Sequence, residues 1–589
     1  MPRTTLALTS FVSGEFGNKL TGRTDFDKYS SAAKTLENFL IHPQGAATRR
    51  VGTQFIAEVK DSSKKTRLIP FEFSTTQTYI LEFGDQYIRF FKDKGQILSS
   101  GVPYEISSPY LEAELFDIKF AQSADVMYIC HPNHPVKKLS RTGHTSWTLA
   151  TVSFGGSPSP GITGSDNRPS SVSFYEQRLV FAGTNNNPQT LWFSKAGDYE
   201  NFTTGTNADD AMIYTIASNQ VNAIKYLKAQ RTLVVGTTGG EFTVSADGTD
   251  ASITPTNVTI KKQSSYGSSN VDAVTAGNAI LFLQKAKRKI RELQYNFDSD
   301  SYVAPDLCIL NDTVTKSGIN EMAFQQEPSS IVWCVRDDGV LAALTYQRSE
   351  SVVAWTRHIF GGAFGSGNAV CESVASISGV LTEDEVWVIV KRTINGATKR
   401  YVECFSDFEF DEASAEDFKF LDSHLTYSGG STTTLSGLSH LEGQSVSILA
   451  DGSVHANKTV SSGAITLDRA VTKACVGLSY DSVLQTMRIE GGAAEGTSQG
   501  KTKRISKVVL RLFETVGVKV GPSLSNLETV PFRTTSSNLS SPVDTLIEGD
   551  KEIEFNDDYN SDGFIFIKQD QPLPCSVLSI YPTLVTSDG

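Results

Sequence analysis

Gly496-Thr497-Ser498-Gln499-Gly500 has the GxSxG spacing of a nucleophile elbow. Such an elbow needs an apolar strand entering and a helix leaving, so that the serine is lifted out of the sheet and backbone N–H groups face an oxyanion. Here a Gly/Ala/Glu loop enters, and the segment that leaves, Val508 to Phe513, alternates like a strand. Serine-hydrolase chemistry is therefore not expected. The same residues run on to Lys501-Thr502 as GxxxGKT, one residue short of a phosphate-cradling loop and without a helix behind it. The reading is a flexible basic hairpin tip carrying Lys501, Lys503 and Arg504.

Cys130-His131 and His134 place a thiol and two imidazoles close together. Structural zinc takes four ligands, and no second pair with ligand spacing occurs elsewhere, so a strand ending in a Pro-containing turn is the reading and no metal is assigned. Between Glu403 and Asp417 the chain concentrates acids: Glu403, Asp407, Glu409, Asp411, Glu412, Glu416 and Asp417. Two of them could serve a glycosidase if held at a working separation, which a sequence cannot fix. Otherwise they form a solvated loop or, in a ring assembly, an acidic belt that keeps a channel from binding DNA. Lys285 to Arg291 (Lys285, Lys287, Arg288, Lys289, Arg291) lies between two apolar runs and reads as a basic hairpin tip. With Arg49-Arg50 and Lys64-Lys65 it makes a weak nucleic-acid signal, since no aromatics interleave. No cofactor is expected.

The elements that must carry these residues are strands. Ile331 to Phe360 is the clearest stretch: an apolar run, the turn Asp337-Asp338-Gly339, a second run to Tyr346, a polar break and a third run from Val352. Asp-Gly between apolar runs is a strong hairpin signal, because a tight turn between twisted strands needs positive φ. Five more segments share this plan, beginning near Ile118, Val172, Val221, Val271 and Val370, and with the one near Ile319 they recur roughly every 50 residues, the period of propeller blades. The expectation is a mainly β chain with a six-bladed β-propeller over 118–420; two successive β-sandwiches are the competing arrangement. Around it fall an N-terminal arm and helix (1–45), a β-meander domain (46–117), a sandwich or barrel-like domain (421–520) and a C-terminal β segment that closes back on the body (521–589). The helix is predicted from Thr24 as N-cap, Asp27 at the capping-box position and an apolar face of Phe26, Tyr29, Ala33, Leu36 and Leu40. It would dock on its own domain or on a neighbouring subunit.

Composition agrees with a globular β protein. The 589 residues are too many for one core, and Gly is frequent (46). A net charge of −12 provides no overall basic field for gripping nucleic acid. The seven cysteines are scattered without a CxxC, as expected of buried reduced thiols. The opening Met1-Pro-Arg-Thr-Thr has no signal-peptide pattern and no apolar run approaches membrane length, which predicts synthesis in a cytoplasm.

Several stretches together resemble a known family. They are Ser13 to Val59, RLIPFEF from Arg67, YILEFGDQYIRFF from Tyr79, KFAQSADVMYICHPNHPVKKLSR from Lys119, FYEQRLVFAG from Phe174, NPQTLWFSKAGDYENF from Asn187 and RISKVVLRLFET from Arg504. In these words the chain is similar to the tail nozzle, or tail tubular protein B, of short-tailed bacteriophages (podoviruses). The resemblance covers most of the chain, carries no catalytic motif, and does not account for the domain after residue 421. It implies a non-enzymatic virion protein in the phage tail, made in the bacterial host cytoplasm. It further implies a propeller in each subunit of a homohexameric ring below the tail adaptor, with tail fibre or tip proteins as further partners and the host envelope within reach. Double-stranded DNA would pass through without sequence-specific binding. On that reading the tips at Lys285 to Arg291 and Gly491 to Lys503 are gate candidates, Asp407, Glu409, Asp411, Glu412, Glu416 and Asp417 are lumen candidates, and the arm fastens a subunit to the adaptor or a neighbour. The rival is a phage propeller that binds or cleaves host surface glycan, which needs an aromatic- and carboxylate-lined pocket.

Overall fold

The computed structural model describes residues 3–74, 76–218, 221–248, 251–379, 383–409, 414–491, 497–532 and 546–587. The chain is mainly β, and among the described residues helical turns occur only as short 3-10 segments. Seven antiparallel sheets of one plan follow each other along the chain: sheet 1 (residues 67–107), sheet 2 (119–151), sheet 3 (171–215), sheet 4 (224–264), sheet 5 (274–303), sheet 6 (319–358) and sheet 7 (370–405). In sheets 2 to 6 four consecutive strands pair in chain order. Sheet 7 has three of its own, and its fourth is Thr53–Glu58, which pairs antiparallel with Ala397–Phe405.

Middle strands such as Ile331–Arg336 and Ala279–Leu283 are apolar on both faces because both faces are covered. Each sheet shares a core with the next. Ile69 and Phe90 of sheet 1 pack on Met127 and Trp147 of sheet 2. Tyr128 meets Phe181 and Trp192 of sheet 3, and Leu191 and Phe193 meet Val235 and Phe242 of sheet 4. Tyr226 and Val234 pack on Ile280 and Phe282 of sheet 5, and Leu281 and Leu283 on Val332 and Leu344 of sheet 6. Trp333 and Leu341 then join Val386 and Val388 of sheet 7. Finally Trp387 and Ile389 of sheet 7 pack on Leu68, Ile80 and Phe91 of sheet 1.

The rest of the chain is grafted on two edges. Asp422–Ser436 runs parallel to Thr53–Glu58 at His424 and Gln54, and pairs antiparallel with Ala464–Leu478. Leu435, Val446, Ile448 and Val476 give residues 422–478 a core of their own. Thr502–Thr515 lies between Ile547–Glu554 and Ser576–Ser587, so strand pairing crosses the expected boundary at 520. The N-terminal arm is held within the chain: Arg3–Thr5 pairs with Ser576–Ser587, and Phe11 joins Leu36, Phe39, Val508 and Ile580 in one core.

The predicted N-terminal helix is absent. Asp27–Ser31 makes a 3-10 turn with no side-chain cap, and Ala32–Glu37 and Phe39–Ile41 are strands. Ala32–Glu37 pairs with Ser482–Thr486, and Asn38 sits at φ 56 between the two strands. The Asn38 side chain donates to the carbonyls of Ile359 and Asp481. Tertiary pairing here overrides a three-and-four spacing that is too short and too rich in Ser and Asn to stand as a helix alone.

Candidate functional site

Several of the sheets carry a charged residue in or just before their first strand, and the fold brings five of these together. Arg67 opens sheet 1 and Lys119 sheet 2; Lys228 lies in the first strand of sheet 4, Asp272 just before sheet 5, and Glu321 in the first strand of sheet 6. They line a cavity of about 240 Å³ with Pro70, Phe116, Phe120, Val274, Met322, Phe324 and Val374. Arg67 donates to Glu321 at 2.8 Å and to the carbonyls of Leu115 and Ile118 at 3.0 and 2.8 Å. The other oxygen of Glu321 accepts from Ser373 Oγ at 2.6 Å and from the Val374 N–H at 2.9 Å. One chain of polar contacts therefore links sheets 1, 6 and 7. Lys119 meets Asp272 at 2.9 Å.

Burial lowers the pKa values of Lys119 and Lys228, with the Asp272 carboxylate opposing the shift in both. Lys228 has no hydrogen-bond or ion-pair partner among the described residues. Apart from Lys228, the charges in the cavity neutralise one another and position the innermost strands.

The sequence-predicted residues are distributed elsewhere. The 285–291 tip is packed, not free: Lys287 and Arg288 carbonyls accept from the Ile319 N–H and Thr315 Oγ1, at 3.0 and 2.7 Å. Lys287 donates to Asn320, Lys289 pairs with Asp306 at 2.7 Å, and Arg291 lies 3.4 Å over the Tyr266 ring. Lys285 and Arg288 point outward.

At the other tip, residues 492–496 lie outside the described residues, and the segment C-terminal to them is a strand, not a flexible basic tip. Lys503 and Arg504 belong to the Thr502–Thr515 strand. Lys503 is fully buried, donates to the Ile489 carbonyl at 3.1 Å and has its pKa lowered by burial. Arg504 donates to the Asp557 carbonyl at 2.9 Å, and Lys501 is half-buried at the turn before the strand. Ser498 is buried, accepts from the Gly491 N–H at 2.9 Å, and no helix follows it.

The acids of 403–417 are largely matched with cations. Glu403 is buried in an ion pair with Arg392. Asp407 meets Lys94 at 2.7 Å and Lys419 at 3.9 Å, and Lys473 meets Glu416 at 3.5 Å and Asp417 at 3.0 Å. Glu409 is exposed, and Asp411 and Glu412 lie outside the described residues.

Cys130 turns away from its neighbouring histidine into the core between sheets 2 and 3. His131 and His134 instead meet Glu114, which no local sequence signal connects to them. Burial works against ionisation of Glu114, but hydrogen bonds from the Leu111 N–H, His134 and Asn133 hold its pKa at about 2.

No protein-family model and no curated protein matches the chain. Among solved structures it is similar to the β-propeller domain of Myceliophteria thermophila Cps50 (Swd1), at 10% identity over 60% of this chain and 100% of that one, with a TM-score of 0.38. The RRP9 WD40 repeats match at 8% identity over 61% and 100% of the two chains, TM-score 0.38. The Neurospora crassa Pan2 WD40 domain matches at 10% identity over 61% and 96%, TM-score 0.35. None of these likenesses bears on function.

Proposed function

We propose that the chain is a non-enzymatic structural subunit of a ring, the tail nozzle of a short-tailed phage, built on a seven-bladed propeller. The propeller reading is supported by the cyclic order of shared cores, in which sheet 7 packs back on sheet 1 and borrows Thr53–Glu58 as its outermost strand. The count in this reading is one more than the six sequence segments, because residues 67–107 supply a blade as well. A duplex is far too wide for the 240 Å³ cavity where the blades meet. A passage for DNA would therefore lie between subunits, and the blades would form its wall.

The observation that carries the ring is an apolar outer face on sheet 5. Phe297 is 85% exposed at the tip of the hairpin that carries Tyr295, and Ile309, 73% exposed, lies with Tyr266 and Val303 along the cleft toward the other end of the same strand. Tyr295 and Tyr302 stack edge-on at 5.7 Å on the same hairpin. Exposed apolar side chains spread along one sheet in this way suit an interaction surface, and a head-to-tail contact that closes makes a ring. The glycan-handling rival would use the adjoining cleft, but of its lining residues only Asp306 is acidic, and it is paired with Lys289.

The test is the mass of the assembly by mass photometry and its outline by electron microscopy. A closed ring is expected, and Phe297→Asp with Ile309→Asp should release folded monomers. A wild-type chain that stays monomeric at micromolar concentration, or that binds or hydrolyses host polysaccharide, overturns the reading.

A further inference from the structure

Three side chains from separate elements converge near the start of sheet 2, and one of them, His131, keeps a buried ring nitrogen without a partner. His131 ends the strand Val126–His131 and His134 opens the strand His134–Gly143. The two-residue link Pro132-Asn133 sets them opposite each other across the ladder, with ring centroids 5.2 Å apart. Glu114 comes from the 3-10 turn Glu112–Asp117 that joins sheet 1 to sheet 2. One ligand-capable atom from each of the three lies within 4.8 Å of the other two.

Glu114 Oε2 and His134 Nε2 are already 2.7 Å apart. His131 is 1% exposed, and its Nε2 has no hydrogen-bond partner. Tyr110, whose ring stands edge-on to both imidazoles, also keeps a buried hydroxyl without a partner. A buried polar atom left unpaired is destabilising, and in native proteins an ion or ordered water commonly accounts for it.

We propose that Glu114, His131 and His134 hold a divalent first-row transition metal ion, zinc being the best match, with the fourth position open to water. Two imidazoles and one carboxylate are a borderline nitrogen and oxygen set that suits zinc, with bonds of about 2.0–2.2 Å. A tetrahedron of that size has ligand–ligand edges of about 3.4 Å, so a spacing at the 4.8 Å limit would close by about 1.4 Å while the 2.7 Å contact of Glu114 with His134 would open. The His134 and Glu114 side chains are 18% and 16% exposed, which leaves the water position accessible from one side.

In the metal-free state His131 Nδ1 accepts the Asn133 N–H at 3.1 Å, which places the ring's proton on Nε2. Coordination through Nε2 shifts that proton to Nδ1. The Asn133 amide then turns to water, which its exposed position permits. The bound ion would fasten the segment linking sheets 1 and 2 to the first hairpin of sheet 2.

The test uses the full chain, stripped with a chelator and titrated with cobalt(II), then with zinc as competitor. One equivalent should bind with the strong visible absorption of a four-coordinate site. Glu114→Gln, which can still accept the Leu111 N–H, and His134→Gln should each weaken binding by about 100-fold or more, at least as much as losing an outer-shell partner. Zinc should raise the melting midpoint of the wild type and leave that of Glu114→Gln unmoved. Circular dichroism of Glu114→Gln separates loss of binding from loss of fold. Equal affinity of wild type and Glu114→Gln, or an octahedral cobalt spectrum indifferent to either histidine, overturns the site.

Discussion

Replacing Asp422 with Asn should loosen the strand that completes sheet 7. Arg50, just ahead of Thr53–Glu58, makes a two-pronged contact with Asp422 at 2.8 and 2.7 Å, and both side chains are fully buried. Asp422 also accepts the Gly361 N–H at 2.8 Å, and Arg50 stacks 3.8 Å over Tyr480. Burial alone would raise the Asp422 pKa; the Arg50 charge and its hydrogen bonds more than offset this, and the net direction is down. Asparagine keeps the shape but leaves the guanidinium buried and uncompensated, a loss of about 3–5 kcal/mol. A chain with several cores does not unfold in one step, so a global midpoint would blur this. Hydrogen exchange of the Thr53–Glu58 amides reads it locally. At about 1.4 kcal/mol per tenfold, exchange should quicken by between about 10² and 4 × 10³. Glu552→Gln, which breaks the exposed pair with Lys507, is the control and should change exchange by less than about 1 kcal/mol. Because the folded-state pKa is depressed, the Asp422 contribution is present above the unfolded value near 3.9 and is lost as pH falls through the folded one. If the Asp422→Asn strand exchanges within threefold of wild type, the pair does not hold the closure and the reasoning fails.

Gly52→Ala should act on the same closure by a different route. A Cβ at Gly52 would sit 1.9 Å from the Leu421 carbonyl oxygen, a backbone atom that cannot step aside, so a loss of about 1–3 kcal/mol is expected, read by limited proteolysis of the strand. Glu82→Gln should flatten the pH dependence of stability between about 4.5 and 7. Burial pushes the Glu82 carboxyl up to about 7 while the Tyr87 hydroxyl donates to it, so its contribution is complete below the unfolded value and is lost as pH rises through the folded one. That interval corresponds to about 3 kcal/mol. A wild-type stability that is level across this range in thermal melts would count against the buried carboxyl.

What the sequence revealed was local. Asp338-Gly339 announced its hairpin because Gly339 takes φ +81 between two strands that are neighbours in sequence. The recurring segments were readable for the same reason, since each blade-like sheet pairs consecutive strands. The fourth strand of sheet 7 was not readable: Thr53–Glu58 lies far from Ala397–Phe405 in the chain, and nothing in its composition names its partner. The false helix came from the same limit. Ala33 and Leu36 are buried, as the apolar face required, but by strand pairing with a segment more than four hundred residues away.

Charge was only partly legible for a related reason. A run such as Lys285 to Arg291 looks like a free basic tip when counted along the chain, because counting sees like charges together and not the Asp306, Asn320 and Tyr266 that the fold sets beside them. The acids around Asp417, read as a solvated loop or an acidic belt, are likewise met by Lys94, Lys419 and Lys473 from distant segments. The same limit applies to His131 and His134. Their two-residue link made them adjacent in any hairpin, yet Glu114, from the preceding turn, could be placed beside them only by folding the chain. In sheets covered on both faces, a charged or imidazole side chain at a strand end has either solvent or a neighbouring sheet to answer it. Among the described residues the Lys228 amine, His131 Nε2 and His358 Nδ1 are left unanswered; of these Lys228 lines the cavity between the sheets, and His131 faces Glu114 and His134.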